Sequence, residues 1–287
     1  MPAQQTAPTF DLQSHSTHSD GSLAPAEVVT RAARAGVRLL ALTDHDTVAG
    51  VAEAAAAARE HGIGLVPAVE LSSVHDAHED LHVLGYAIDP AALEGTLADY
   101  REDRVRRIHA MADRLRELGF ELDDAPLRRP APGRPHLAQA LLEHPANASR
   151  LRSEGIDGRD ALFPAYLIPG APAYVPRTRP TVAEAIAAVH AAGGLAVWAH
   201  PYWDMDDALP SLAEFAAHGL DGVEAFYITH DERQTRALYA AAMDLGLLTT
   251  GSADFHGPGH ERFDRFRNFS LHGLTPLLGP LAGYYGR

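Results

Sequence analysis

Apolar runs of strand length in this chain repeatedly end in a histidine or an acid. Val37 to Leu42 runs into Thr43-Asp44-His45-Asp46, and Gly64 to Val69 into Glu70. Gly194 to Ala199 runs into His200-Pro201, and Leu247 to Ala253 into Asp254-Phe255-His256. Near the N-terminus, Phe10-Asp11-Leu12-Gln13-Ser14-His15 repeats the pattern. Side chains so distant in sequence can serve one site only if the strands are parallel and their carboxyl ends meet at one face. Open α/β sheets and α/β barrels meet that condition. Imidazoles with a few carboxylates suit zinc, manganese or iron.

Strand-like and helical runs alternate along the chain. Pro25 to Ala35 reads as a helix stopped by Gly36, and Thr47 is placed to cap an alanine-rich helix, Val48 to His61, closed by Gly62. Ser72 to Asp80 reads as a polar loop before a fourth strand, Leu81 to Ile88, that carries His82. Thr181-Val182-Ala183-Glu184 is a capping-box start. It opens a helix before the strand that ends at His200. A helix near Leu209 to His218, a strand Gly222 to Ile228 ending in Thr229-His230, and a helix Asp231 to Leu245 follow. Seven such alternations predict an α/β fold, a distorted seven-stranded (β/α) barrel, from residues 9–89 and 180–287. The stretch between, residues 90–179, is too long for a loop. Leu97, Tyr100, Val105, Ile108, Met111, Leu115 and Leu118 recur there at helical spacing. It is expected to form a small, mainly helical inserted domain.

Charge is unevenly spread. The formal net charge is −14, and all 24 basic residues are arginine. Fourteen of them lie between Arg101 and Arg179, against eleven acids in the same span. The overall balance disfavours passive adhesion to long duplex nucleic acid or an anionic membrane. The arginine-rich span suits a short anionic substrate, or equally surface pairing with neighbouring acids. There is no cysteine, which excludes thiolate zinc sites, disulfides and cysteine nucleophiles. Met1 to Pro8 lacks the charge and apolar core of a signal peptide, so a cytoplasmic location is expected.

The chain has 17 histidines, and most have ordinary readings. His61 sits at a helix C-terminus, where the helix dipole favours a cation. His109, His144, His190 and His218 fall on helices, and His75 and His78 in the polar stretch. His15, Asp44-His45, Glu70, His82, His200 and Asp254/His256 differ, because all fall at or beside strand ends. Asp254 and His256, two apart, face the same way on a strand. Glu70 can bridge two cations through its two oxygens.

Asp11-Leu12-Gln13-Ser14-His15-Ser16, Ser19-Asp20-Gly21, Leu42-Thr43-Asp44-His45-Asp46, Val69-Glu70, Leu81-His82-Val83-Leu84-Gly85, Ala199-His200-Pro201 and Ser252-Ala253-Asp254-Phe255-His256 resemble, in order, the motifs of the PHP (polymerase and histidinol phosphatase) family. The likeness is greatest to members with an inserted domain, which include nucleoside 3′,5′-bisphosphate phosphatases and 5′–3′ exoribonucleases. It implies two or three divalent metal ions, manganese first and zinc or iron as alternatives. Carried over by motif, His15, Glu70 and Asp254 would hold one ion. Glu70, His82 and His200 would hold a second, and Asp20, His45 and His256 a third. Asp44 and His230 would assist catalysis. Arg134, with His136 and Arg177 as further substrate contacts, would hold phosphate from the inserted domain. The implied reaction is hydrolysis of a phosphomonoester or terminal phosphodiester of a nucleotide or short oligonucleotide by activated water. Gln13 stands where the family has its first histidine, and an amide oxygen is a weaker ligand for zinc or manganese than imidazole. Two alternatives stay open on residues alone: a metal-binding module without turnover, and a Glu-bridged amidohydrolase acting on a C–N bond. A lysine-bridged amidohydrolase is excluded because the chain has no lysine.

Overall fold

A computed structural model describes residues 8–76, 78–128, 132–177, 179–203 and 205–286. The N-terminal stretch read above as lacking a leader lies almost wholly outside them. Among the described residues no helix is long and apolar enough to cross a membrane.

Seven strands form one sheet in chain order: β1 (Phe10–Asp11), β2 (Leu39–Leu42), β3 (Gly64–His75), β4 (His78–Tyr86), β5 (Leu195–Trp198), β6 (Gly222–Tyr227) and β7 (Leu248–Ser252). The sheet curls into a nearly closed (β/α) barrel. Leu12 N–H donates to Gly251 O at 3.1 Å, and Ser14 bridges Phe255 in parallel. Strands β1, β2, β5, β6 and β7 are two to six residues long and almost fully buried, so their apolar runs are continuous rather than alternating, as expected for parallel strands covered by helices.

One expectation is corrected. The strands are not all parallel: β4 runs antiparallel to both β3 and β5. The polar stretch Ser72 to Asp80 is not a loop but the end of β3 and the start of β4, separated by a tight turn at Asp76, whose φ is 50°. Strands joined by so short a connection can only pair antiparallel. His82 therefore reaches the site from the middle of a reversed strand, paired with Ser72.

Helices α1 (Pro25–Arg34) and α2 (Val51–His61) pack together over the barrel's outside. Val28, Val29 and Ala32 of α1 and Ala54, Ala57 and Ala58 of α2 share a core with Leu40, Leu42, Phe255 and Phe266. Gly62 ends α2 in the left-handed region, φ 65°, where glycine carries no Cβ penalty. The start of α2 departs from the sequence reading: Gly50, not Thr47, is the cap. Thr47 Oγ1 instead accepts from Ala49 N–H at 3.3 Å.

The chain divides into two compact units, and the division falls within α3 (Pro90–Glu117): one unit takes the segments up to Leu97 and from Pro180, the other Ala98–Arg179. The second unit has its own core, in which Ile108, Met111 and Leu115 of α3 meet Leu137 and Leu141 of α4 (Arg134–Glu143) and Leu151 of α5 (Ala148–Ser153). Leu162 of α6 (Arg159–Leu162), Tyr166 and Tyr174 complete it. Leu118, placed on the apolar face by its spacing, is exposed. In the first unit, α7 (Val182–Ala191), α8 (Leu209–Ala217) and α9 (Glu232–Leu245) cover the later strands. Thr181 Oγ1 accepts Glu184 N–H and Glu184 Oε2 accepts Thr181 N–H, so the capping box is formed.

Asp11 ties the barrel seam. Its buried carboxylate accepts Ala253 N–H at 2.9 Å and Arg267 N–H at 2.7 Å. Asp11→Ala leaves both amides without that acceptor, and buried donors left unpaired cost about 1–3 kcal/mol each. A urea titration is expected to show a loss of roughly 2–4 kcal/mol. A change within about 0.5 kcal/mol, the range of ordinary surface substitutions, would show that water serves those amides equally well.

Candidate metal centre

The strand ends converge as their sequence pattern requires. Glu70, at the centre, is fully buried. Its Oε1 lies 2.7 Å from His82 Nδ1 and 3.3 Å from His200 Nε2. Its Oε2 lies 3.0 Å from His15 Nε2 and 3.5 Å from His45 Nδ1. One carboxylate is thus bracketed by four imidazoles. His15 Nε2 is also 3.1 Å from Asp254 Oδ1. Asp20 lies beyond, 3.6 Å from His45 Nε2 and 3.4 Å from His256 Nε2. One ligand atom each of His15, Asp20, His45 and His256 lies within 4.8 Å of the others, and the same holds for His45, Glu70 and His82.

Backbone strain gathers here. Asp46, His200 and Asp254 adopt positive φ of 53°, 30° and 53° just past strand ends. For residues other than glycine this costs on the order of 1–3 kcal/mol each unless the surroundings enforce it. The surroundings do so through hydrogen bonds. Asp46 N–H donates to Glu70 O at 2.9 Å, and Asp46 Oδ1 accepts Ser72 N–H at 2.9 Å. His200 N–H donates to Glu224 Oε2 at 3.0 Å.

Asp44 organises the loop after His15. Its Oδ1 accepts Ser16 N–H and Ser19 Oγ–H, both at 2.7 Å, and its Oδ2 accepts Ser16 Oγ–H at 2.6 Å. Gly21 closes the same turn on His15. A Cβ there would sit 2.3 Å from His15 O, so only glycine lets the loop fold back and bring in Asp20.

The electrostatics follow from burial and close pairing. Burial works to neutralise Glu70, but His45 and His82 outweigh it and hold the carboxyl well below its usual range. Asp254 is likewise held down to about 2, with His256 and His15 overcoming burial. Burial opposes protonation of His15 too, yet Asp254 and Glu70 keep its pKa well above the ordinary value. His200 rises to about 9 against burial through Glu70. His45 goes the other way, pushed down to about 3 by burial. Carboxylates that hold imidazolium protons this firmly present the same lone pairs to a divalent cation.

The donor set fits such a cation by a second observation. His15 Nε2, His45 Nδ1, Glu70 Oε2 and Asp254 Oδ1 are buried atoms that meet one another at 3.0–3.5 Å and make no other hydrogen bond among the described residues. Four such atoms crowded against one another, two of them carboxylate oxygens, call for a positive partner, either protons on the imidazoles or a cation in their place. Mixed imidazole and carboxylate donors match zinc, manganese or iron better than calcium or magnesium, which favour all-oxygen shells.

The remaining expected residues are His230, Arg134, His136 and Arg177. His230 packs against Tyr202 and Tyr227. Its Nδ1 is 3.2 Å from Ala225 O, and its Nε2 has no hydrogen-bond partner among the described residues. Burial pushes its pKa down to about 4. The ring is thus neutral near pH 7, with the proton on Nδ1 and a lone pair on Nε2. That state can accept a hydrogen bond at Nε2. Arg134, His136 and Arg177 belong to the second unit. There His136 Nδ1 accepts Gly133 N–H at 3.0 Å, closing the first turn of α4, and Arg134 stacks over the Phe163 ring at 5.7 Å.

Glu224 and Tyr227 of β6 were missed in the sequence. Tyr227 OH donates to Asp254 Oδ2 at 2.8 Å, and Ser252 Oγ–H donates to Glu224 Oε1 at 2.6 Å. A lone acid inside the six-residue apolar run Gly222–Tyr227 was the available signal.

Comparison with known proteins agrees with this geometry. A family model described as the PHP domain matches residues 11–121. The chain is 37% identical to a 3′,5′-nucleoside bisphosphate phosphatase of Chromobacterium violaceum, covering 87% of this chain and 88% of that one. It is 35% identical to the 5′–3′ exoribonuclease Rnm of Escherichia coli, covering 87% and 85%. A solved structure from Bifidobacterium adolescentis, described as a metal-dependent phosphoesterase, superposes with a TM-score of 0.77 at 30% identity, covering 98% of this chain and 96% of that one.

Proposed function

The chain belongs to the PHP family and is a metal-dependent phosphoesterase, and from that premise we propose that it removes phosphate from nucleotides or short oligonucleotides, at a monoester or a terminal diester. The observation that carries this reading is Glu70 bracketed by four imidazoles at 2.7–3.5 Å.

In this reading His15, Asp20, His45, Glu70, His82, His200, Asp254 and His256 hold two or three divalent ions, with manganese the first candidate and zinc or iron the others. Such ions, when bound, supply positive charge for the phosphoryl oxygens and activate water. The chain's own residues do the rest. Glu70 fixes the imidazoles relative to one another. Asp44, expected as a catalytic group, spends three short hydrogen bonds on the Ser16–Ser19 loop, so it acts as a positioning residue for Asp20. Tyr227 holds Asp254 through Oδ2, leaving Oδ1 turned to His15. His230 accepts a hydrogen bond from substrate or water at Nε2. Arg134 and Arg177 bind phosphate, where a planar guanidinium matches the geometry of the anion, and His136 orders the start of α4 next to Arg134. A cytoplasmic location goes with a nucleotide substrate.

A nucleotide substrate is favoured by an aromatic patch beside the centre. Trp203 is 44% exposed, an unusual state for so large a ring. Its backbone N–H donates to His200 O at 2.8 Å, and its ring lies 5.8 Å from Phe263 and 6.4 Å from His200. The Arg262 guanidinium sits 5.4 Å from its centroid. An exposed indole with a neighbouring guanidinium is suited to stacking on a nucleobase, worth about 1–3 kcal/mol.

The test is release of inorganic phosphate in manganese from a nucleoside bisphosphate, a short 5′-phosphorylated RNA, and p-nitrophenyl phosphate. The nucleotides are expected to have the higher kcat/KM. Trp203→Ala is expected to raise KM for them by roughly ten- to hundredfold, the loss of one stacked base, and to leave p-nitrophenyl phosphate unaffected. Turnover of p-nitrophenyl phosphate alone would remove the nucleotide assignment. Absence of turnover on every phosphoester would favour a metal-binding module.

A further inference from the structure

The loop that follows His256 is closed on itself. His256 N–H donates to Phe263 O at 2.9 Å, which joins the two ends of residues 257–262. Gly257 opens the loop at φ 137°, and a Cβ there would sit 1.8 Å from Ser22 Oγ, so glycine is required. Inside the loop, His260 N–H donates to Gly257 O at 3.1 Å. His260 Nδ1 accepts Arg262 N–H at 3.2 Å and Phe263 N–H at 3.1 Å.

Those two bonds assign the ring's hydrogen. Nδ1 carries none while it accepts, so the N–H of His260 is on Nε2, at the edge turned away from the loop backbone. Accepting the N–H groups two and three residues on is a task that Asn, Asp or Ser performs with a shorter side chain. Histidine adds the far edge, a donor carried on a rigid plane. The ring's surroundings say what that donor can meet. It stacks on Phe263 at 4.9 Å and 29°, and its centre lies 5.2 Å from that of His256. His256 Nε2 is 3.4 Å from Asp20 Oδ1. Phe263 also touches the exposed indole of Trp203, at 5.8 Å. One aromatic ring thus joins the patch suited to a base with the rim of the His256 corner, where a phosphate would rest.

We propose that His260 is a substrate-binding residue, whose Nε2–H donates to a non-bridging phosphoryl oxygen at the Asp20–His256 corner. This rests on the phosphoesterase reading above. A hydrogen bond to an ionised oxygen is about twice as strong as one between neutral groups, and the closed loop holds the donor in place before substrate arrives. Because the contact is to phosphate, it serves every phosphoester alike, whereas Trp203 serves only those with a base.

The rival reading makes His260 a loop cap and nothing more. His260→Asn separates the two, because an asparagine oxygen still accepts Arg262 N–H and Phe263 N–H while the far donor is gone. His260→Ala removes both. Manganese-loaded wild type and the two variants are compared in kcat/KM for p-nitrophenyl phosphate and a nucleoside bisphosphate, in competitive inhibition by inorganic phosphate, and in manganese affinity by electron paramagnetic resonance titration. His260→Asn is expected to lower kcat/KM about 10–100-fold on both substrates, the loss of one hydrogen bond to a charged acceptor. Phosphate inhibition should weaken with it, while manganese affinity and circular dichroism stay as in wild type. Wild-type kcat/KM and phosphate inhibition in His260→Asn, with a fall in His260→Ala alone, would overturn the proposal in favour of the loop cap. Manganese affinity falling in step with activity in His260→Asn would also overturn it, since His260 would then act through His256. Failure of wild type to turn over any phosphoester would instead overturn the reading on which the proposal rests, and calorimetric binding of inorganic phosphate to the manganese-loaded proteins would then judge His260 separately.

Discussion

Glu70→Gln is expected to lower kcat for phosphoester hydrolysis by at least about a thousandfold, equivalent to roughly 4 kcal/mol of barrier. The substitution changes one atom and keeps the shape. It nevertheless replaces one of two acceptor oxygens, each lying within 3.5 Å of two imidazole nitrogens, with an NH₂ group. An NH₂ facing His82 or His15 has no lone pair for a cation, and it removes the one negative charge common to all four rings. Both bridging and charge neutralisation are lost together, and a bound cation contributes several kcal/mol of transition-state stabilisation. The fold should survive, because Glu70 N–H and C=O keep their bonds to Asp44 and Asp46. The measurement is steady-state turnover with circular dichroism alongside. Activity within about tenfold of wild type, less than 1.4 kcal/mol, would mean Glu70 is not central to the chemistry, and the proposed centre would have to be abandoned.

Much of this centre was legible because a buried strand leaves few reasons for a charged or imidazole side chain at its end. His15, Glu70, His200 and Asp254 stood out against continuous apolar runs, and the barrel brings the other three to Glu70's two oxygens or next to them. The same logic failed where polarity had a second explanation. Ser72 to Asp80 is polar, so it read as a loop, yet Ser72 and Ser73 are fully buried and paired with His82 and Leu81 across a hairpin. Their hydroxyls and amides are satisfied within the sheet and by Asp46, which sequence patterning cannot reveal. Thr47 illustrates a related limit. It has the chemistry of a cap, but the turn from Asp44 to Gly50 is committed to the loop that presents His45 to Glu70, and α2 starts only at Val51. Glu224 was passed over because a single acid in a strand normally faces water. Here it faces the barrel interior, where Ser252 and the strained His200 backbone take up its oxygens.

Removing divalent cations is expected to abolish activity and to lower the melting temperature by several degrees or more. A ligand that binds only the folded state stabilises it by about 4 kcal/mol when present at a thousandfold excess over Kd. Chelation withdraws that term. It also leaves Glu70 Oε2 and Asp254 Oδ1 buried with only the nitrogens of His15 and His45 beside them, while Asp46, His200 and Asp254 keep their positive φ. The strain and the unsatisfied atoms then act against the fold with nothing opposing them but imidazolium protons. Those protons fade as pH rises past the His200 value of about 9. A raised histidine pKa contributes stability that is complete below its unfolded value near 6.5 and lost as pH rises through the folded one. The apo-protein should therefore lose stability between about pH 6.5 and 9. With cations bound, the carboxylates no longer depend on those protons, and the decline should be smaller. Differential scanning fluorimetry across that range, on chelator-treated protein verified by elemental analysis and on the same sample reloaded with manganese or zinc, measures both effects. Identical melting curves and undiminished turnover in verified apo-protein would show that the cluster is a hydrogen-bonded structural core, and that its likeness to a metal centre is one of shape alone.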